Sequence, residues 1–274
     1  INLLDFKKGL IVEEAIEKSL ENILWRFVDW LQKKNLQPAS QKIYIYYVKS
    51  AIQAAATDQY LFIPPNVLRK VKVRLAAPTI ITIENQEALK TLAEMNISHF
   101  GIRPPDKETI LIAKIMYVFG LRIGDAVSLT RDNFEITEQG VLMKVISKKT
   151  HKSVRQLVPD PLWRDIKHAL ENWGGKVIFS DNNSNEGRLR KKMVKLLSTL
   201  PGMDDPIQVV RQLPDGSTKI EWSTRAKEFK PHVLRKTSGT MYHTLTGQGA
   251  SHLGNTQGAF NRHYLNSEVV DIET

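Results

Sequence analysis

The sequence predicts a mainly α protein that carries small β hairpins, an α+β chain in two domains. Three observations lead there. Apolar residues recur at helical spacing through the first third of the chain and again from Ile83. The period drops to two on either side of a lysine-rich turn at 147–152, and Pro214-Asp215-Gly216 between Ile207–Leu213 and Ser217–Trp222 is a second hairpin signal. At 274 residues, 42% of them hydrophobic and 25% charged, the composition is that of a folded globular protein, which excludes disordered, collagen-like and coiled-coil chains. The length suits one large core or two modest ones.

In order along the chain, Ile16, Leu20, Ile23, Leu24, Phe27 and Leu31 share one helical face. Pro38 breaks that pattern, and Ser40 is an N-cap for a second helix through Tyr47, Ile52 and Ala55. Ile63-Pro64-Pro65 breaks helix again, and the basic residues Arg69, Lys70, Lys72 and Arg74 lead into a linker at 77–82. Residues 1–76 are then a small helical module and 83–274 the larger domain. Within the latter, Glu87–Met95 reads as a short helix and Gly101–Asp106, with two prolines, as a loop. Thr109–Leu129 is a long apolar helical stretch that Gly120 and Gly124 bend or divide. Val141–Ile146 and Val154–Val158 form a hairpin with Ser147-Lys148-Lys149-Thr150-His151-Lys152 at its tip, and Val177–Phe179 reads as a third short strand. Leu189, Met193, Leu196, Leu197 and Leu200 mark a helix. Ile207–Leu213 and Ser217–Trp222 form a second hairpin, and from Pro231 the chain is helical with glycine interruptions at 247, 249, 254 and 258.

The formal charge is +10 and the isoelectric point about 9.6. Residues 141–195 hold thirteen Lys and Arg against five Asp and Glu, so most of the excess lies in one fifth of the chain, as a polyanion-tracking surface would. Zero cysteines excludes disulfides, thiolate metal sites and a cysteine nucleophile. The most apolar run, Ile110–Leu121, is interrupted by Lys114 and falls short of the ~20 residues a membrane helix needs, so no membrane partner is expected. No charged-then-apolar leader opens the chain, and a start at Ile1 reads as a fragment of something longer.

Three patches are candidates for chemistry. In Gly120-Leu121-Arg122-Ile123-Gly124-Asp125 an arginine inside an apolar helical turn needs an anion to offset its desolvation. In His232-Val233-Leu234-Arg235 two donors three residues apart lie on one helical face. Near the C-terminus stands His263-Tyr264-Leu265. Arg122 after its glycine, the lysine-tipped hairpin, His232-x-x-Arg235, Leu253-Gly254 and then Tyr264 ten residues past that glycine follow one another in an order that resembles the tyrosine recombinase (phage integrase) family. The resemblance runs from about Ile83 to Tyr264, and 1–76 is similar to the core-binding domain of that family.

What the resemblance implies is a two-domain clamp around duplex DNA, with 83–274 as the catalytic domain. It implies a site-specific recombinase or integrase that cuts and rejoins DNA through a 3′-phosphotyrosyl intermediate, without metal, ATP or other cofactor. Tyr264 would be the nucleophile, Arg122 and Arg235 would bracket the phosphate, and His232 would donate or move a proton. Lys149 is chosen as the acid for the 5′-oxygen, with Lys148 and Lys152 as alternatives. Asp125 would orient Arg122 rather than react. Arg69, Lys70, Lys72, Arg74, Lys148 and Lys152 would bind DNA. The physical chemistry agrees, because charge develops on the non-bridging oxygens in the transition state and a guanidinium fork grips two of them.

One departure stands out: where the family carries His or Trp after Leu-Gly, this chain has Asn255, nine residues before Tyr264. Asparagine donates a hydrogen bond but exchanges no proton near neutral pH. His252, three residues earlier, is the alternative occupant of that role. The expected partners are double-stranded DNA, a homotetramer on two DNA sites and accessory DNA-bending proteins. An arm-binding domain ahead of residue 1 would fit the same picture, and if the source is prokaryotic or viral the expected location is cytoplasmic and nucleoid-associated. Three rivals are a DNA-binding protein of this fold without catalysis, a relaxing topoisomerase of the type IB kind, and a basic structural or RNA-binding protein. Metal-ion nucleases and P-loop enzymes do not fit: the late histidines at 232, 243, 252 and 263 lack zinc-site spacing, and no Gly-x-x-x-x-Gly-Lys-Ser/Thr run exists.

Overall fold

The helical face read from the sequence builds the first unit of the structure. A computed structural model describes residues 3–58, 63, 65–76, 81–83, 85–95, 97, 104–178, 185–255, 257 and 260–261, with backbone alone at 3–17, 65–67, 104–105 and 185. Two compact units divide the chain, Ile1–Pro78 with Gln208–Glu221, and Thr79–Ile207 with Trp222–Thr274.

In the first unit α1 spans Leu3–Lys33, α2 Pro38–Asp58 and α3 Pro65–Lys70. Leu24, Val28 and Leu31 bury one stripe of α1 against Ile45 of α2 and Val71. Ile23, which the periodicity assigns to that stripe, is 59% exposed. Asn35, in the left-handed region at φ 57°, follows α1. Helix α2 begins on Pro38 itself, two residues before the expected Ser40 cap, because proline in a first turn forfeits no intrahelical bond and brings its φ already set. The basic stretch is partly tied down: Lys70 pairs with Glu21 at 3.4 Å, and Lys49 donates to the Val71 carbonyl. The segment 208–221, far away in sequence, belongs to this unit. Buried Gln41 donates to Leu36 O (2.7 Å) and Pro214 O (2.6 Å), and Gln212 donates to Arg74 O at 2.9 Å.

The second unit is organised on α5 (Pro104–Phe119), whose residues 110–116 are all buried, Lys114 included. The expected loop at 101–106 gives way to helix at Pro104, where two prolines occupy positions whose N–H groups have no helical partner. Lys114 is tolerated because Asp165 lies 2.8 Å from its ammonium, both side chains nearly out of solvent. Ahead of α5, α4 (Gln86–Glu94) is capped by Asn85 Oδ1, which accepts from the amides of Glu87 and Ala88. The apolar 109–129 stretch is two helices: α5 stops at Gly120, at φ +60°, and α6 (Ile123–Ala126) follows.

A three-stranded antiparallel sheet comes next, β1 (Phe134–Thr137), β2 (Gly140–Ile146) and β3 (Ser153–Leu157), in the order β1-β2-β3. Strands β2 and β3 are the expected hairpin, paired Lys144 to Arg155 and Val145 to Val154. Strand β1 and α7 (Asp160–Asn172) are additional to the sequence reading. The expected strand at 177–179 does not form in the described part: Lys176 makes a single bridge to Thr130, the Val177 amide donates to Leu129 O, and Phe179 lies outside the described residues. Helix α8 (Asn185–Leu197) packs against α5. Strands β4 (Pro206–Gln212) and β5 (Thr218–Thr224) form the second expected hairpin, with Asp215 Oδ1 accepting from the amide and hydroxyl of Ser217 in the turn.

After α9 (Arg225–Glu228) comes α10 (His232–Thr246), which also packs on α5, and α11 (Gly249–His252) folds back on α10. Two glycines permit that return. A Cβ at Gly239 would stand 2.5 Å from Leu253 Cδ1, and one at Gly249 would stand 2.4 Å from Phe260 Cζ and 2.5 Å from Gly239 O. Gly249→Ala is therefore expected to lower stability by about 1–3 kcal/mol through overpacking, read as a lower thermal midpoint. An unchanged midpoint would show that α11 is not held tightly to α10.

Candidate active site

Arg122 sits at the N-cap of α6, two residues past the left-handed Gly120. Its Nη1 donates to Ser147 Oγ at 3.0 Å. Ser147 in turn donates to Asp125 Oδ2 (3.2 Å), and the Lys148 amide donates to Asp125 Oδ1 (3.1 Å). Asp125 is buried on α6, so a carboxylate out of solvent holds the root of the β2–β3 tip against the Arg122 turn. The route from Asp125 to Arg122 passes through Ser147; among the described residues the two charges form no direct ion pair. The tip is closed by Ser147 N to Lys152 O (3.0 Å) and by His151 N to Ser147 O (2.8 Å), with His151 at φ 53°. Lys148, Lys149 and Lys152 are exposed on it.

Arg235 occupies the first turns of α10 and is only 2% exposed, so it is no part of a solvated basic face. Its Nη1 donates to Gly120 O, and its Nη2 donates to Leu253 O (2.7 Å) and Asn255 Oδ1 (3.3 Å). Because arginine only donates, the Asn255 amide must turn its oxygen inward, which leaves its NH₂ as the group to offer elsewhere. The two arginines are thereby tied to one short segment between α5 and α6, Arg122 being its last residue and Arg235 bonding its first. Gly120 is irreplaceable there on two counts, its φ and the 2.3 Å that a Cβ would leave to Leu253 Cδ2. His232, at the start of α10, is exposed whereas Arg235 is buried, so the shared helical face carries one group to solvent and one to the interior.

His252 is held differently from the role offered to it as a stand-in for Asn255. Its Nε2 lies 2.8 Å from Ser238 Oγ, its ring stacks on Tyr242 with centroids 4.2 Å apart, and its carbonyl accepts from Gln156 Nε2 at 3.2 Å. Burial, and secondarily the Arg235 charge, push its pKa down from 6.5 to about 4, so it is a neutral ring at pH 7. A cavity of about 510 Å³ opens beside it, walled by β3, Tyr242, Gln248 and Ser251. Lys236, next to Arg235, is also shifted down, by burial and then by Lys230.

Ser147, Gln156 and Ser238 are contributors that the sequence reading does not single out. Ser147 alone carries a local signal, standing at the root of the lysine tip. Of the other nominated residues, Arg69, Lys72 and Arg74 are exposed in the first unit, and Lys70 is engaged with Glu21. Tyr264 lies outside the described residues. Among the described residues no group of three His, Asp or Glu side chains is placed to hold a metal ion, and no helix is long and apolar enough to cross a membrane.

No protein-family model matches the sequence, and no curated protein sequence matches it. Solved structures do. A lambda integrase (75–356) dimer bound to a COC′ core site is 14% identical over 94% of this chain and 83% of that one, with a TM-score of 0.56. A lambda integrase tetramer bound to a Holliday junction is 17% identical, covering 94% of this chain and 67% of that one, at 0.55. XerH site-specific recombinase on difH substrate, in a pre-cleavage complex, is 15% identical, covering 89% and 66%, at 0.56. The chain has the fold of the tyrosine recombinases and integrases, and the expected mainly α class with small hairpins is borne out.

The lowered His252 pKa sets a pH dependence. The folded value lies below the unfolded one, so the unfolded chain takes up the proton first; the contribution is complete above pH 6.5 and is lost as pH falls from 6.5 toward 4. His252→Gln, which lacks that titration, should show a shallower loss of stability than wild type over this interval in denaturant unfolding. Parallel curves would mean that the ring is not buried.

Proposed function

We propose that this chain is a tyrosine-type site-specific DNA recombinase or integrase, acting on duplex DNA through a 3′-phosphotyrosyl intermediate. The observation that carries the reading is the segment 120–122, whose Gly120 carbonyl accepts from Arg235 and whose Arg122 donates to Ser147 at the root of the lysine hairpin, with the Lys148 amide on neighbouring Asp125. Support also comes from the fold, shared with integrases and recombinases that were solved on DNA.

In this reading the phenolic oxygen of Tyr264 attacks phosphorus, its proton passing to His232. The P–O5′ bond breaks, and the leaving oxygen takes a proton from a hairpin lysine, with Lys149 the first choice. Arg122 and Arg235 offset the charge on the non-bridging oxygens, helped by the Asn255 NH₂. One phosphodiester is exchanged for another, so the bond energy is kept for religation by the reverse attack. The helical residues 1–76 and the catalytic residues 83–274, joined through 77–82, close on the duplex. Arg69, Lys72 and Arg74 meet phosphates together with Lys148 and Lys152. Four protomers on two sites exchange strands, as the assembly on a Holliday junction suggests for the similar lambda integrase.

A second reading, a DNA-binding protein of this fold without catalysis, is favoured by one observation: Nη1 and Nη2 of Arg235 are turned to main-chain carbonyls, beside an Asn255 that cannot exchange protons. A nicked suicide duplex separates the two. Wild type should become covalently attached, and Tyr264→Phe should bind the duplex with similar affinity and trap nothing. Attachment by the phenylalanine variant would show another nucleophile, and no attachment by wild type on its own site would favour the binding protein. Arg235→Ala should slow attachment by about 10²-fold or more, the scale of losing one donor at a developing oxyanion.

A further inference from the structure

The hydroxyl of Ser147 joins two charges that do not touch. Arginine only donates and a carboxylate only accepts, so the direction of each bond is forced: Arg122 Nη1 donates a hydrogen bond to Ser147 Oγ, and the Ser147 hydroxyl donates one to Asp125 Oδ2, at 3.0 and 3.2 Å. The second oxygen of the same carboxylate takes the Lys148 amide at 3.1 Å. The main chain of Ser147 meanwhile closes the hairpin tip, its N–H on Lys152 O and its C=O under the His151 amide. One residue therefore fixes the tip to itself and to the helix that carries Arg122. Ser147 is 5% exposed and Asp125 4%, so water does not readily replace either partner.

We infer that Ser147 is a positioning residue for proton delivery, setting the register of the lysine-bearing tip against Arg122. Lys148, Lys149 and Lys152 are long, exposed side chains with no bonded partner among the described residues, so the place of their ammonium groups is set by the backbone they leave from. That backbone is referenced to the Arg122 turn by Ser147 Oγ and the Lys148 amide, both on Asp125. Without that hydrogen bond the tip no longer holds its ammonium groups in one register, and a misplacement of about 1 Å at a reacting group costs up to about 10²-fold in rate. The geometry stands by itself; the chemistry rests on the recombinase reading.

The test is Ser147→Ala in the full chain, measured in two ways. Amide exchange at Lys148 should accelerate by about 10-fold or more, while amides in the core of α5 stay protected. Covalent attachment to a suicide duplex, measured at saturating protein, should slow by about 10- to 100-fold with the ordinary 5′-oxygen. With sulfur at the bridging 5′ position the leaving group departs as a thiolate and needs no proton, so most of that deficit should disappear. Unchanged exchange at Lys148, or an equal deficit with oxygen and sulfur, overturns the proposal. If wild type attaches to neither duplex, the recombinase reading fails, and the exchange measurement still decides whether Ser147 holds the tip.

Discussion

The buried guanidinium of Arg235 is the interaction on which the candidate site of the second unit depends. An unpaired charge of that kind deep in a protein is prohibitive, and here it is compensated by main-chain carbonyls at Gly120 and Leu253 and by the Asn255 side chain. Each acceptor comes from a different part of the chain: the end of α5, the exit of α11 and the segment beyond it. The requirement to satisfy one fork thus draws the Arg122 turn and the 253–255 segment onto α10. Glycine at 120, 239 and 249 removes the side chains that would keep these pieces apart.

From that junction the arrangement propagates outward by hydrogen bonds of fixed direction. The turn that accepts from Arg235 carries Arg122, Arg122 reaches Ser147, and Ser147 with Lys148 returns to buried Asp125. Gln156, donating to Phe119 O and His252 O, fastens the far strand of the same hairpin to the same two segments. Neutral His252 stacks on Tyr242 beside them, at the wall of the cavity. The proposed chemistry calls for donors placed ahead of the substrate, and this chain of hydrogen bonds fixes the positions of Arg122 and Arg235.

Much of this was legible in the residues, and the limits have physical causes. The β2–β3 and β4–β5 hairpins announce themselves by local turn chemistry, as with Asp215 and Ser217. The division of 109–129 follows from Gly120. Helix α7 also carries its signal, Pro161 in the first turn and Leu162, Ile166, Ala169 and Leu170 on one side, so nothing long-range hides it. Strand β1 is another matter: four half-wet residues gain their pairing only from β2. The placement of 208–221 with the first unit depends on Gln41 and Gln212 bonds across more than a hundred residues, which no periodicity encodes. At the site, residue types and order point to Arg122, Arg235 and the lysine tip. The burial of Arg235, the Ser147 link and the neutral state of His252 come from tertiary contacts alone.

The central claim is that this junction serves a covalent exchange at Tyr264. Its most direct measurement is peptide mapping of the wild-type protein after trapping on a suicide duplex. The account predicts a single nucleotide-linked peptide, modified at Tyr264 through a 3′-phosphate. Linkage to any other residue, or through a 5′-phosphate, would contradict it.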